Sequence, residues 1–288
     1  MLCVTNTNQS TATTAHYQYV NVNANPADPF FPNGCTVFNR REHLTPADTL
    51  CVLTSCHNAA APGGQEGYVV ITAEDPELFA VAWGFDYLIG SELVINSSGI
   101  MYAVNAMPIE ARVPEGEPTD LDMDSNLDLN DFEYEPISDQ MYIDSFVPIQ
   151  ACQLALINLT GTSQAINTVQ FSIWNDNEFP LSTSLRFKCW FDQPLEEISI
   201  AFSQDFLRHS TPHDPEELAI GCEDGAPTVE TGWAIVDSVD VSTTGGLVVA
   251  FDGALVGAIT CGNPTRWDGG HLLWESVEKQ RNGKVFAP

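Results

Sequence analysis

Apolar residues in this chain recur mainly on alternate positions or in short runs, and helical spacing is scarce. The first half offers seven β-rich segments: Ala15–Val22, Thr36–Glu42, Thr49–Thr54, Tyr68–Thr72, Phe79–Phe85, Glu92–Ile95 and Met101–Ala106. Turn clusters such as Asn25-Pro26-Ala27-Asp28-Pro29 and Ala61-Pro62-Gly63-Gly64 separate them. The second half repeats the style in Gln153–Leu159, Val169–Trp174, Ser184–Phe191, Glu197–Phe202, Gly232–Val236, Leu247–Phe251 and Ala254–Thr260. One helix is expected, over Asp214–Ile220, where Asp214-Pro215-Glu216-Glu217 supplies a cap and first-turn acid. The pattern predicts an all-β fold of two immunoglobulin-like β-sandwiches.

The halves also resemble each other in sequence. Val4-Thr5-Asn6-Thr7 resembles Ile157-Asn158-Leu159-Thr160, and Cys35 falls opposite Cys189. Gly67-Tyr68-Val69-Val70-Ile71 aligns with Gly232-Trp233-Ala234-Ile235-Val236, and Trp83–Gly90 with Val249–Gly257. Four collinear matches read as a duplication. They set the expected boundaries at residues 1–111 and 143–288 for the sandwiches, with 112–142 as an acidic linker.

Charge sharpens the middle of the chain. Its 288 residues hold 39 Asp and Glu against 10 Lys and Arg, a net charge of −29, which argues against nucleic acid or an anionic membrane as partner. No apolar run is long enough for a membrane helix. Between Glu110 and Asp144 lie 12 of the 39 acidic residues and a single basic one, Arg112. Carboxylates there fall on alternate positions, the spacing with which a loop can wrap a hard cation in oxygens. Asp120, Asp122, Asp124, Asn126, Asp128, Asp131 and Glu133 are the candidate ligands, and calcium the candidate ion. The loop resembles the EF-hand-like calcium loops of secreted bacterial proteins, whose usual Asp-Gly-Asp-Gly form is broken here by Met123 and Ser125. The alternative is a solvated linker.

The eight cysteines are Cys3, Cys35, Cys51, Cys56, Cys152, Cys189, Cys222 and Cys261. None forms a C-x-x-C pair, and four fall in each half, so disulfides closed within each domain are expected, as in an extracellular protein. Cys3 with Cys51 or Cys56 is the preferred pairing in the first half. Cys51 and Cys56-His57 lack the second ligand pair a zinc site needs. Asn8, Asn96 and Asn158 stand in glycosylation sequons. The Met1-Leu2-Cys3-Val4 start has no basic and apolar leader pattern, so secretion would imply a leader already removed.

Catalytic patterns are thin, and no enzyme is expected. Ser55 neighbours His57 in sequence alone. His209 and His213 are separated by a proline that spoils helical ligand spacing, and Glu196-Glu197 and Glu216-Glu217 read as surface charge. Trp83, Tyr68, Phe85, Trp233 and Phe251 sit in the repeated segments and are core candidates. Trp174 and Trp190 are expected in the core, Trp267 and Trp274 nearer the surface, where aromatics suit sugar stacking or subunit contact.

Val4-Thr5-Asn6-Thr7-Asn8, Phe85-Asp86-Tyr87-Leu88-Ile89-Gly90, Phe132-Glu133-Tyr134-Glu135 and Glu230-Thr231-Gly232-Trp233 together resemble uncharacterised secreted bacterial proteins with two related β-sandwich modules. The resemblance implies an envelope or extracellular protein and supplies no activity. The expected function is therefore an extracellular structural or surface protein that assembles with itself, as a filament subunit for instance. The second expectation is a calcium-dependent adhesion module that binds a carbohydrate or a surface receptor.

Overall fold

The computed structural model describes residues 1–23, 25, 27–28, 34–60, 66–95, 101–147, 151–159, 165–212, 229–243, 248–249, 253–263, 266–274, 280–281 and 283–285. The protein is mostly β, in antiparallel sheets. In the first half, β1 (Leu2–Asn6), β4 (Thr49–Val52), β6 (Leu88–Ile95) and β7 (Met101–Asn105) form a sheet in the order β4-β1-β6-β7. A second sheet, β3-β2-β5, holds β2 (Thr13–Asn23), β3 (Gly34–Leu44) and β5 (Gly67–Glu74). Alternation along each strand sends Leu2, Val4, Ala15, Tyr17, Tyr19 and Leu44 into one core between the sheets.

The second half repeats this order. Strands β11 (Ala151–Asn158), β14 (Trp190–Pro194), β17 (Leu255–Asn263) and β18 (Arg266–His271) lie as β14-β11-β17-β18. Facing them, β12 (Ala165–Asn175), β13 (Pro180–Lys188) and β15 (Gly232–Thr243) lie as β13-β12-β15, extended by β10 (Gln140–Phe146) and β19 (Leu273–Trp274), with β16 (Val248–Val249) pairing β15. Phe171, Phe187, Phe191 and Phe202 are fully buried in its core. At about 1.5–3 kcal/mol for each such side chain, this core dominates the energetics of the second half.

Strand order corrects the immunoglobulin-like expectation. An immunoglobulin sandwich places its first two strands side by side in one sheet. Here β1 and β2 lie in different sheets, as do β11 and β12. The chain crosses between sheets at β1–β2, β3–β4, β4–β5 and β5–β6, which is how a jelly roll is wound. In the second half all eight jelly-roll places are filled, by β18-β17-β11-β14 on one sheet and β10-β15-β12-β13 on the other. The first half lacks the counterpart of β10. The open edge of β5 is met instead by Val81–Trp83: Ala82 bridges Glu74, the Trp83 N–H donates to the Ala73 carbonyl, and the Val81 carbonyl accepts from Asp75.

Registers make the correspondence residue by residue. Gly67 opposes Asn21 as Gly232 opposes Asn175, and Gly90 opposes Val4 as Gly257 opposes Leu156. A Cβ on Gly67 would stand 2.0 Å from the Val20 carbonyl oxygen, and one on Gly232 would stand 2.5 Å from that of Trp174. No other residue fits so close an approach. The two asparagines also do the same work. Asn21 exchanges amide bonds with Asn58, and Asn175 donates to Thr211 and to the Pro212 carbonyl. Asn58 and Thr211 are the C-caps of α1 (Thr54–His57) and α3 (Gln204–Ser210), so each buried amide anchors a helix between the fourth and fifth strands.

Residues 112–142, expected as a linker, are folded. Within them β8 (Leu127–Leu129) pairs β21 (Gly283–Val285), and β9 (Ile137–Ser138) pairs β20 (Gln280–Arg281). Leu127, Leu129 and Ile137 join Leu159, Ala254 and Val256 in a third core, flanked by Tyr68 and Val70 of the first half. Three apolar residues at alternate or turn-adjacent positions inside an acidic stretch were the signal that charge concealed.

Disulfides follow the expectation in two bridges, one of them the preferred Cys3–Cys51, and depart from it in the third. Cys3–Cys51 and Cys152–Cys261 join directly opposed residues of paired strands. Cys35–Cys189 spans 154 positions and ties one half to the other, so bridges are not confined within the halves. The register places Cys189 at the counterpart of Asp48, since their carbonyls accept from Asn158 and Asn6; Cys35 and Cys189 are partners, not repeats. Among the described residues Cys56 is outside any disulfide and exposed. Cys222 lies outside the described residues, as do the helix expected over Asp214–Ile220, His213, Glu216-Glu217, Asn96, Phe251 and most of Leu247–Phe251.

Two expected strands are absent. Phe79–Phe85 makes isolated bridges only, and Glu197–Phe202 forms the end of α2 (Leu195–Ile198) and a 3₁₀ turn at Ile200–Phe202. There the side chain of Ser199 accepts from Ala201, capping the turn that a hydrophobic alternation cannot reveal. Among the described residues no helix is long and apolar enough to cross a membrane.

Candidate functional site

Three arrangements stand out: the acidic loop, two buried histidine networks, and two sheet faces that the halves use unequally. In the loop, Asp120, Asp122 and Asp124 each bring a carboxylate oxygen within 4.8 Å of the others. Their oxygens accept backbone N–H groups: Asp120 from Asp124 and Ser125 (3.1 Å each), Asp122 from Asp124 (3.2 Å), and Asp124 from Asn126 (2.9 Å). Met123 and Ser125 have φ of 61° and 64°, the left-handed conformation that glycine adopts without strain.

The other expected ligands do not converge there. Glu133 is buried and braces the loop, accepting from Leu121 (2.7 Å) and Asp128 (3.0 Å). Burial pushes its carboxyl above the ordinary range despite those bonds. Asp131 pairs with Arg112 at 2.9 Å. Asp128 lies in β8 opposite Lys284, and Asn126 stands half-buried just before that strand. Three carboxylates supply three of the six to eight oxygens that calcium takes, so backbone carbonyls and water would have to complete the shell. Leu121 and Met123, which alternate with them in the chain, are exposed, as is Phe132 further along the same acidic stretch.

Sequence reading missed the histidine networks, because strand register assembles them. His57 sits at the end of α1, with Nδ1 2.6 Å from the Tyr19 hydroxyl and Nε2 3.2 Å from Glu42. Arg40 bonds the same Glu42 oxygen at 2.8 Å and holds that carboxyl below its usual range. Burial lowers the His57 pKa. A neutral imidazole then donates from Nε2 to Glu42 and accepts from Tyr19 at Nδ1. Burial pushes the Tyr19 phenol up and Tyr17 beside it to about 12. Carboxylate, imidazole and hydroxyl stand in the order of a proton relay, but the hydroxyl gives up its proton less readily than free tyrosine.

The second network lies on the opposite face of β2. His16 touches Glu74 at 2.9 Å and Asn39 at 2.9 Å, while Arg41 grips both Glu74 oxygens at 2.6 and 3.0 Å. Burial opposes ionisation of Glu74, but bonds from His16 and Arg41 outweigh it and lower its pKa. Alternation puts His16, Arg41 and Glu74 on one face; pairing of β2 with both β3 and β5 brings them together. Elsewhere His209 is exposed on α3 beside Asp205, and Glu196 and Glu197 are exposed on α2. Asn8 and Asn158 are turned inward, bonding Glu115 and the Ala165 carbonyl, so neither sequon presents its amide to solvent.

The sheet faces turned away from each core behave differently in the two halves. On β5, Tyr68 stacks on Trp190 of β14 with ring centroids 6.1 Å apart, and Val70 joins the third core with Ile157 and Val256. Burial raises the Tyr68 phenol to about 12. The outer face of β3-β2-β5 is thus packed on the outer face of β14-β11-β17, and β7 runs beside β18. Trp233 holds the place of Tyr68: each follows the equivalent glycine, Tyr68 opposing Val20 and Trp233 opposing Trp174. Yet Trp233 is 38% exposed, stacked on Trp174 at 4.3 Å with Ile235 and Tyr142 beside it on the same face. Of the core expectations for tryptophan, Trp174, Trp190 and Trp233 therefore lie on outer faces. Phe85 is buried and Trp83 half-buried against it. The side chains of Trp267 and Trp274 lie outside those described.

No protein-family model matches this chain, and no curated protein and no solved structure is significantly similar to it.

Proposed function

We propose that this is an extracellular structural or surface protein that assembles with itself, head to tail, from two tandem copies of one sandwich module. One observation carries the reading: the two copies are packed on each other through unlike faces, β3-β2-β5 of the first against β14-β11-β17 of the second. A contact between unlike faces of a repeated module leaves one of each unused, and repetition of such a contact builds an open chain unless it closes on itself. Three disulfides support an oxidising compartment. Jelly rolls serve capsid and lectin roles alike, so the architecture suits assembly and binding equally. Sedimentation velocity over a concentration series tests the reading: association that grows with concentration is expected, and a monomer throughout would refute it.

A calcium-dependent adhesion module for a carbohydrate or receptor is the second reading. It is favoured by the convergence of Asp120, Asp122 and Asp124, with Leu121 and Met123 exposed between them. Titration with calcium followed by a glycan-array screen, with and without the ion, tests it. Heat on calcium addition and calcium-dependent glycan signals are expected; their joint absence counts against it.

A further inference from the structure

We propose that the face formed by Trp174 and Trp233 is the docking site for a second copy of this chain, and that the second copy enters it with the outer face of β1, β4 and β6 around Ile89. The inference rests on the self-assembly reading and names its two surfaces.

The internal interface supplies the template. Its two sides are Tyr68 with Val70 in the first half, Val20 standing opposite Tyr68 on the same face, and Ile157, Trp190 and Val256 in the second. On the second half, the register counterparts of Val20 and Tyr68 are Trp174 and Trp233. On the first half, Thr5 pairs Ile89 and Thr49 as Ile157 pairs Val256 and Trp190, so Thr5, Ile89 and Thr49 are the counterparts of the other side. Exposure follows the same division. Val256 is 7% exposed at the internal interface, whereas Ile89 in the equivalent position is 59% exposed. Tyr68 is stacked beneath Trp190, whereas Trp233 is open on one side. Two large apolar side chains thus stand uncovered at the two positions that the molecule covers when its own halves meet.

Docking the Trp233 face of one copy on the Ile89 face of the next continues the internal interface by one repeat. Thr49 replaces the Trp190 ring in that contact, so it buries less aromatic surface than the internal one and is reversible. A net charge of −29 on each copy opposes approach, which makes the contact strengthen with salt.

Complementary surface variants test the pairing. Trp233→Asp removes the receiving face and Ile89→Asp the entering face; circular dichroism and thermal unfolding check that both remain folded, and Trp233→Gln replaces the former if it does not. In sedimentation velocity at about 0.15 M salt, each variant alone should self-associate about 30-fold more weakly than the parent chain, the loss expected for an interface anchor. Mixed together, they should form one-to-one dimers that grow no further, because one good contact remains. A parent chain that associates while both variants associate equally well would overturn these surfaces and leave self-assembly standing. A parent chain that stays monomeric would overturn both.

Discussion

Cys35 and Cys189 are joined across 154 positions, and with Tyr68 stacked on Trp190 they fix the outer face of one sandwich to that of the other. Cross-linking a loop this long removes a large share of unfolded-state entropy, for which removal of a native bridge costs about 2–5 kcal/mol. Replacing both residues by alanine should lower the denaturation midpoint accordingly, measured in urea without reductant. Because the third core still holds the halves together, the double variant should stay compact by small-angle scattering.

Asp192 on β14 faces Glu66 across the same interface. Burial first, and Glu66 second, push its carboxyl up to about 6. A raised carboxyl favours the protonated folded state, so its contribution is present below the ordinary carboxylate pKa. It is lost as pH rises from about 4 to about 6. Asp192→Asn should therefore stabilise the protein by about 3 kcal/mol at pH 7, with the gain shrinking through pH 4 and vanishing below about pH 3. Thermal melts of both proteins across this range check the sign.

Glu42 and Glu74 act in the opposite direction, since partners hold both carboxyls below their usual values. Their contribution is present above the ordinary carboxylate pKa and disappears as pH falls through the lowered one. Arg41→Ala leaves the buried Glu74 with His16 alone, and should cost about 3–5 kcal/mol at pH 7, shrinking in acid. A cost that does not change with pH would show that lost packing, not charge, sets the effect.

Met123 and Ser125 hold left-handed backbone where glycine is unstrained. Met123→Gly and Ser125→Gly should each raise stability by roughly 1 kcal/mol, in contrast to the usual penalty for adding glycine. If the three aspartates take calcium, the same changes should tighten its binding, read by isothermal calorimetry.

Much of this architecture was legible in the chain. Alternation placed most strands, and the repeat of Gly67-Tyr68 in Gly232-Trp233 announced two related halves. Register was not legible, and register decides the rest. It turns Tyr68 and Trp233 away from their cores, brings His16 to Glu74, and makes Cys35 a partner of Cys189. The winding between sheets was equally hidden, since a jelly roll and an immunoglobulin sandwich use strands of similar pattern in different orders. Acidic composition masked Leu127, Leu129 and Ile137, whose burial makes the expected linker part of the fold. Spacing makes Glu133 a candidate ligand, but spacing shows where a carboxylate stands in sequence and not which way it points, and Glu133 points at the backbone N–H groups of Leu121 and Asp128.

The most direct measurement is sedimentation velocity of the intact chain, from low to high concentration, at low and at near-physiological salt. Raising ionic strength from about 0.01 to about 0.15 M shortens the screening length from about 30 to about 8 Å and relieves repulsion between acidic copies. Head-to-tail docking predicts a weight-average sedimentation coefficient that climbs with concentration without a plateau at the dimer, and more steeply at the higher salt. A single monomeric boundary at every concentration and both salts would contradict it.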